Sequence, residues 1–198
     1  MVPFFRSLSF RLLILTVFFV MVSEVLIYTP SIARFRLTYL EEKLASAHLA
    51  ALALHGTPDG MVTEELADQL LSHAGARSIV ARRTGSPLQS IARPSSDTVD
   101  AEYDLRGHMA VPLIFDALMA LTRTGNRIIR VIGQSPKDKN VLLAIELDEE
   151  PMRLAMYDYS WRILNLSIVI SLITAALVFL SLRWLMVRPM QQITTSLV

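Results

Sequence analysis

Two apolar stretches, Leu12 to Tyr28 and Ile163 to Leu182, bracket the chain and limit its fold more than any other feature. The second runs for about twenty residues without a charge, the length a helix needs to cross ~30 Å of hydrocarbon. Between them lie roughly 130 residues of mixed composition, enough for one domain core and tight for two. The net charge is +1 and no long basic run occurs, which argues against a nucleic-acid partner. Cysteine is absent, so disulfides, thiolate metal sites and a cysteine nucleophile are excluded.

The flanks predict an orientation. Arg6 and Arg11 precede the first stretch, and Arg183 and Arg188 follow the second. Short flanks rich in arginine stay on the cytoplasmic side. The expected layout is a cytoplasmic N-terminus (1–11), a first span (12–28), an outer domain (29–161), a second span (162–183) and a cytoplasmic helical segment (184–198). Trp161 and Trp184 fall at opposite ends of the second span, where interfacial aromatics anchor. A cleavable signal peptide ending near Ser31-Ile32-Ala33 is the alternative for the first stretch. Glu24 interrupts that stretch; it either reaches out to water or makes a polar contact between helices.

In the outer domain, Leu37, Leu40, Leu44, Ala47, Ala51 and Leu54 recur at steps of three and four. This predicts a helix from Pro30 to Leu54, continuing out of the first span, whose stripe packs either on its own domain or on a second copy. Met61 to His73 reads as a second helix, with Thr63, Glu64 and Glu65 at its start and Gly75 as its stop. Strands are expected over 77–83, 88–93, 127–133 and 141–147, a surface loop over 94–104, and helices over 112–121 and 151–160. The expected fold is α+β, a small antiparallel sheet with helices on its faces. That element order resembles a periplasmic Per-Arnt-Sim-like sensor domain.

No phosphate loop, dinucleotide fingerprint or nucleophile elbow occurs, and no catalytic residue is recognisable in this chain. His48, His55, His73 and His108 make no metal-spaced pair and read as surface or helix-end histidines. Two charge groups bear on sensing. Arg130, Arg82 and Arg106, with Arg77 and Arg83, stand on or beside strands and are candidates to pin an anionic ligand; solvated strand ends explain them as well. Glu146, Asp148, Glu149 and Glu150 are weak candidates for a divalent cation. Their simpler reading is a helix N-terminus capped by Asp148 before Pro151.

Beyond the second span, Met186, Met190, Ile193 and Leu197 form a seam that begins at the membrane. Arg188-Pro189-Met190-Gln191-Gln192-Ile193 resembles the opening of a HAMP linker, the helical relay of many bacterial receptors. Pro189, Ile193 and Leu197 match that pattern, and with Met190 they are the expected signal-relay residues. The pattern stops at Val198, as expected of a piece of a longer protein. With Tyr28-Thr29-Pro30-Ser31-Ile32-Ala33-Arg34-Phe35-Arg36, the whole resembles the input half of an alphaproteobacterial-type sensor histidine kinase. The resemblance implies an inner-membrane homodimer, an unidentified periplasmic ligand, a downstream kinase domain using ATP and Mg, and a response regulator as partner. A chemoreceptor input module or a two-span anchored binding or assembly protein are the alternatives.

Overall fold

A computed structural model describes residues 8–55, 63–83, 89–93, 98–107, 110–182 and 184. The elements in order are α1 (Leu8–His55), α2 (Glu64–Ala74), β1 (Ser78–Arg83), β2 (Gln89–Ala92), β3 (Ala101–Asp104), α3 (Ala110–Thr122), β4 (Ile128–Gln134), β5 (Val141–Asp148) and α4 (Glu149–Leu182). They divide into two compact units, Met1–Pro30 with Tyr159–Val198, and Ser31–Asp158.

The first unit holds the apolar parts of α1 and α4. Both helices are long and apolar enough to cross a membrane, and their apolar windows are not buried within the chain. Pro30 lies inside α1, so the helix over Pro30 to Leu54 continues out of the first apolar stretch, as its pattern suggested. Within this unit the Ser171 hydroxyl donates to Glu24 Oε1 at 2.9 Å, and Tyr28 Oη lies 2.6 Å from Ser160 Oγ. Of the two accounts of Glu24, the contact between helices is the one observed.

The second unit is built on a five-stranded sheet of order β2-β1-β5-β4-β3. Alternation sets its core face. Ile129 and Val131 of β4, and Leu143, Ile145 and Leu147 of β5, are buried, while the residues between them are half-buried. On α1, Ile32, Leu40, Leu44, Ala47 and Ala51 are buried within this single chain. Leu40, Leu44, Ala47 and Ala51 of the α1 stripe are therefore core of this unit.

Two expectations are corrected. The sheet is mixed, because β3 runs parallel to β4 while the other pairs are antiparallel. β3 also occupies part of the segment expected as a surface loop. The reason is connectivity: α3 lies between β3 and β4, and a strand–helix–strand crossover brings its strands side by side in parallel. Asp100 extends the pairing, its N–H donating to the Ile128 carbonyl at 2.9 Å.

Local chemistry fixes the element ends. Thr63 caps α2, accepting from the Leu66 N–H at 3.4 Å. Gly75 closes α2 at φ 65, a left-handed conformation that glycine adopts without strain. At Gly133 the constraint is space, since an added Cβ would lie 2.7 Å from Leu44 Cδ1. Gly133→Ala is expected to cost about 1–3 kcal/mol by overpacking. Combining it with Leu44→Ala should give less than the sum of the two costs. Thermal midpoints of the four proteins check this; strict additivity would mean that the contact carries no strain.

Candidate functional site

The sequence-selected arginines do not converge. Arg130 lies on the half-buried face of β4, opposite Glu146 of β5 and beside Glu102 of β3. Its Nη2 donates to Glu146 Oε1 at 2.6 Å, and its Nη1 is 3.7 Å from Glu102 Oε2. Arg106 is fastened to Asp104, its Nε donating at 2.8 Å and 3.0 Å to the two carboxylate oxygens. That fork holds the exposed Asp104 carboxyl at a pKa of about 2. Arg82 is exposed on β1, opposite Leu142 and toward the other end of β5 from Glu146. Arg83 donates to Asp138 at 2.7 Å.

The acidic group is also dispersed among partners. Glu146 belongs to Arg130, and Glu150 lies 4.0 Å from Arg153. Asp148 receives Arg77 Nε at 3.1 Å and Asn126 Nδ2 at 2.7 Å. Asp148 does not cap α4. The Glu149 N–H donates to the Arg127 carbonyl at 2.8 Å, and the Glu150 N–H to Asn126 Oδ1 at 3.3 Å. The segment ahead of β4 thus serves the helix start.

Burial pushes the Asp148 carboxyl up, but the hydrogen bonds from Arg77 and Asn126 and the Arg77 charge outweigh it and hold the group below its usual value. A lowered carboxyl pKa adds stability above the unfolded value of 3.8, and this is lost as pH falls through the folded value. The thermal midpoint of the wild type should therefore fall more between pH 5 and pH 3 than that of Asp148→Asn. An equal fall in both would remove Asp148 from the acid response.

Glu149 is the buried member of the group, 1% exposed at the first turn of α4. Arg127 grips it bidentately, Nε to Oε2 at 2.7 Å and Nη2 to Oε1 at 3.1 Å. Arg123 adds a longer pair at 3.8 Å. The hydrogen bond to Glu149 raises the Arg127 pKa, against burial, so the guanidinium stays charged. Arg153, further along α4, donates from Nη1 to the carbonyls of Arg123 and Gly125, satisfying acceptors left open past the end of α3.

The most distinctive feature was not singled out from sequence. Arg36 of α1 is 3% exposed, and its Nε and Nη2 have no hydrogen-bond partner among the described residues. Its guanidinium stacks on the Tyr103 ring, 4.4 Å from the centroid. Each unsatisfied buried donor costs about 1–3 kcal/mol. A desolvated cation–π contact returns roughly 2 kcal/mol. The stack alone does not offset two open donors. Arg36 lines a cavity of about 360 Å³ between α1, the end of β3 and the start of α3. Leu37, Leu40, Leu105 and Leu113 supply apolar wall, and Asp116 stands in the same lining.

A sequence signal for Arg36 did exist. It lies four residues before Leu40, so it shares the face of the buried stripe. His48 is not at the surface as expected: it is 4% exposed, with Nδ1 unpartnered among the described residues. The relay residues Pro189, Met190, Ile193 and Leu197 lie outside the described residues. No group of three or more metal-ligating side chains occurs among the described residues.

No family model matches the chain, and no curated protein or solved structure matches it. The class defined by architecture is a mixed α+β chain with a five-stranded sheet and two helices long and apolar enough to cross a membrane.

Proposed function

We propose that the chain is the input half of a transmembrane sensor histidine kinase. In this reading both termini are cytoplasmic and residues 29–161 form an outer domain of Per-Arnt-Sim-like character. The segment after 184 acts as the start of a HAMP relay in a homodimer. ATP, Mg and the response regulator belong to a downstream region.

One observation supports a relay above all. Arg36 of α1 stacks on Tyr103 of β3, the Tyr103 hydroxyl accepts from Arg127 Nη2 at 3.5 Å, and Arg127 grips Glu149 at the start of α4. Four polar side chains thus join the two helices that run on into the apolar stretches. A change of packing at Arg36 or Tyr103 reaches the base of α4 through charge-assisted contacts, and a two-state shift needs such a differential contact.

The test joins this chain to the kinase core of an unrelated histidine kinase and reads autophosphorylation in membranes. Tyr103→Leu and Glu149→Gln should each change output by about fivefold or more, at unchanged protein level. Unaltered output from both would remove the relay. The orientation is checked separately in the cysteine-free chain. Asn140→Cys, in the exposed turn between β4 and β5, should react with an impermeant maleimide added outside intact cells.

A further inference from the structure

We infer that the cavity beside Arg36 binds a small monocarboxylate with a compact apolar body. This inference rests on the sensing role proposed above and names its ligand class. The buried, unpaired edge of Arg36 carries the argument. Nε and Nη2 are the two donors that a guanidinium offers side by side to a carboxylate, and both lack a partner among the described residues. Glu149 occupies the same edge of Arg127, which shows the pairing that Arg36 lacks.

The remaining wall narrows the class. Leu37, Leu40, Leu105 and Leu113 suit a short branched aliphatic body, and about 360 Å³ holds a ligand of that size. Charge selects against a second carboxylate. The Glu102 and Asp104 carboxylates are engaged by Arg130 and Arg106, whereas Asp116 has no ion pair among the described residues. A dicarboxylate would meet Asp116 uncompensated.

Because Nε and Nη2 are closed to solvent, a carboxylate reaches them when the fork turns off the Tyr103 ring. Ligand entry would then shift a side chain of α1 and release Tyr103, the first two members of the contact series that ends at Glu149.

The experiment is calorimetric titration of the full chain in lipid nanodiscs with 4-methylpentanoate, 4-methylpentanamide and succinate. Saturable binding of the acid is expected, with at least a tenfold weaker response to the amide and to succinate. Arg36→Gln and Arg36→Lys should each weaken binding of the acid at least tenfold, because lysine lacks the planar fork. Arg82→Gln should leave it unchanged. Leu113→Trp keeps Arg36 and fills the cavity, so it should abolish binding even if the Arg36 variants fold poorly. Absence of saturable binding, equal binding of acid and amide, or full binding in folded Arg36→Gln or Leu113→Trp each overturns the assignment. Binding without any change in kinase output would instead overturn the relay and leave the site standing.

Discussion

Glu149→Ala is expected to destabilise the sheet-bearing unit by about 3 kcal/mol, the range for removing one partner of a buried ion pair. The variant leaves Arg127, 26% exposed in its side chain, without its bidentate acceptor and Arg123 without its 3.8 Å partner. The first turn of α4 also loses its acidic neighbour to the helix dipole. Arg127 can partly turn to water, which keeps the cost near the lower end. Hydrogen exchange of the Val131 and Ile145 amides, in the sheet core, measures the loss directly. Glu149→Gln should lie between the alanine variant and the wild type, because an amide still accepts from Arg127 without the charge. Wild-type protection in Glu149→Ala would mean that the cluster is solvated in solution, and the relay reading would lose its α4 end.

Leu44→Ala is expected to cost about 3 kcal/mol, within the usual 2–5 kcal/mol for emptying a packed leucine site. Leu44 is 1% exposed and touches the position where Gly133 leaves room on β4. Leu49, on the same helix and 59% exposed, supplies the control. Leu49→Ala should change stability by less than about 0.5 kcal/mol in a dilute monomer. The pair separates two uses of α1. If Leu49→Ala were the costly one, and its cost grew with protein concentration, an interface through the outer face of α1 would follow.

Much of the architecture was legible because period and punctuation agree locally. Thr63, the glutamates and Gly75 mark both ends of α2 with groups that satisfy or terminate its own backbone. The alternating runs at 128–134 and 141–148 lie close to the expected strands, since one buried face demands that pattern. β3 was not legible. Ala101-Glu102-Tyr103-Asp104 is short, has no β-branched residue and carries two charges, so nothing local distinguishes it from a loop. It is a strand because β4 offers it an edge and α3 returns the chain in the parallel direction.

The candidate site divides in the same way. Arginines on strands were conspicuous in the sequence, yet Arg130 and Arg106 each have carboxylate partners across the sheet or in the turn. Beyond its spacing from Leu40, Arg36 carries no local mark that sets it apart from a solvated helix residue. Only the packing of α1 against β3 and the start of α3 encloses it and brings it onto Tyr103. The acidic run from Glu146 to Glu150 looked like one patch, but strand alternation and the start of α4 send its members to different partners.

By itself, the sequence determined the two apolar helices, the caps of α2, the alternating core strands and the absence of thiol chemistry. Each follows from residue type and spacing within one element. The tertiary structure alone decided that the α1 stripe is core, that the sheet is mixed, that Asn126 and Arg127 serve the start of α4, and that Arg36 is buried with open donors. Those outcomes depend on which surfaces meet, and residues far apart in the chain set that jointly.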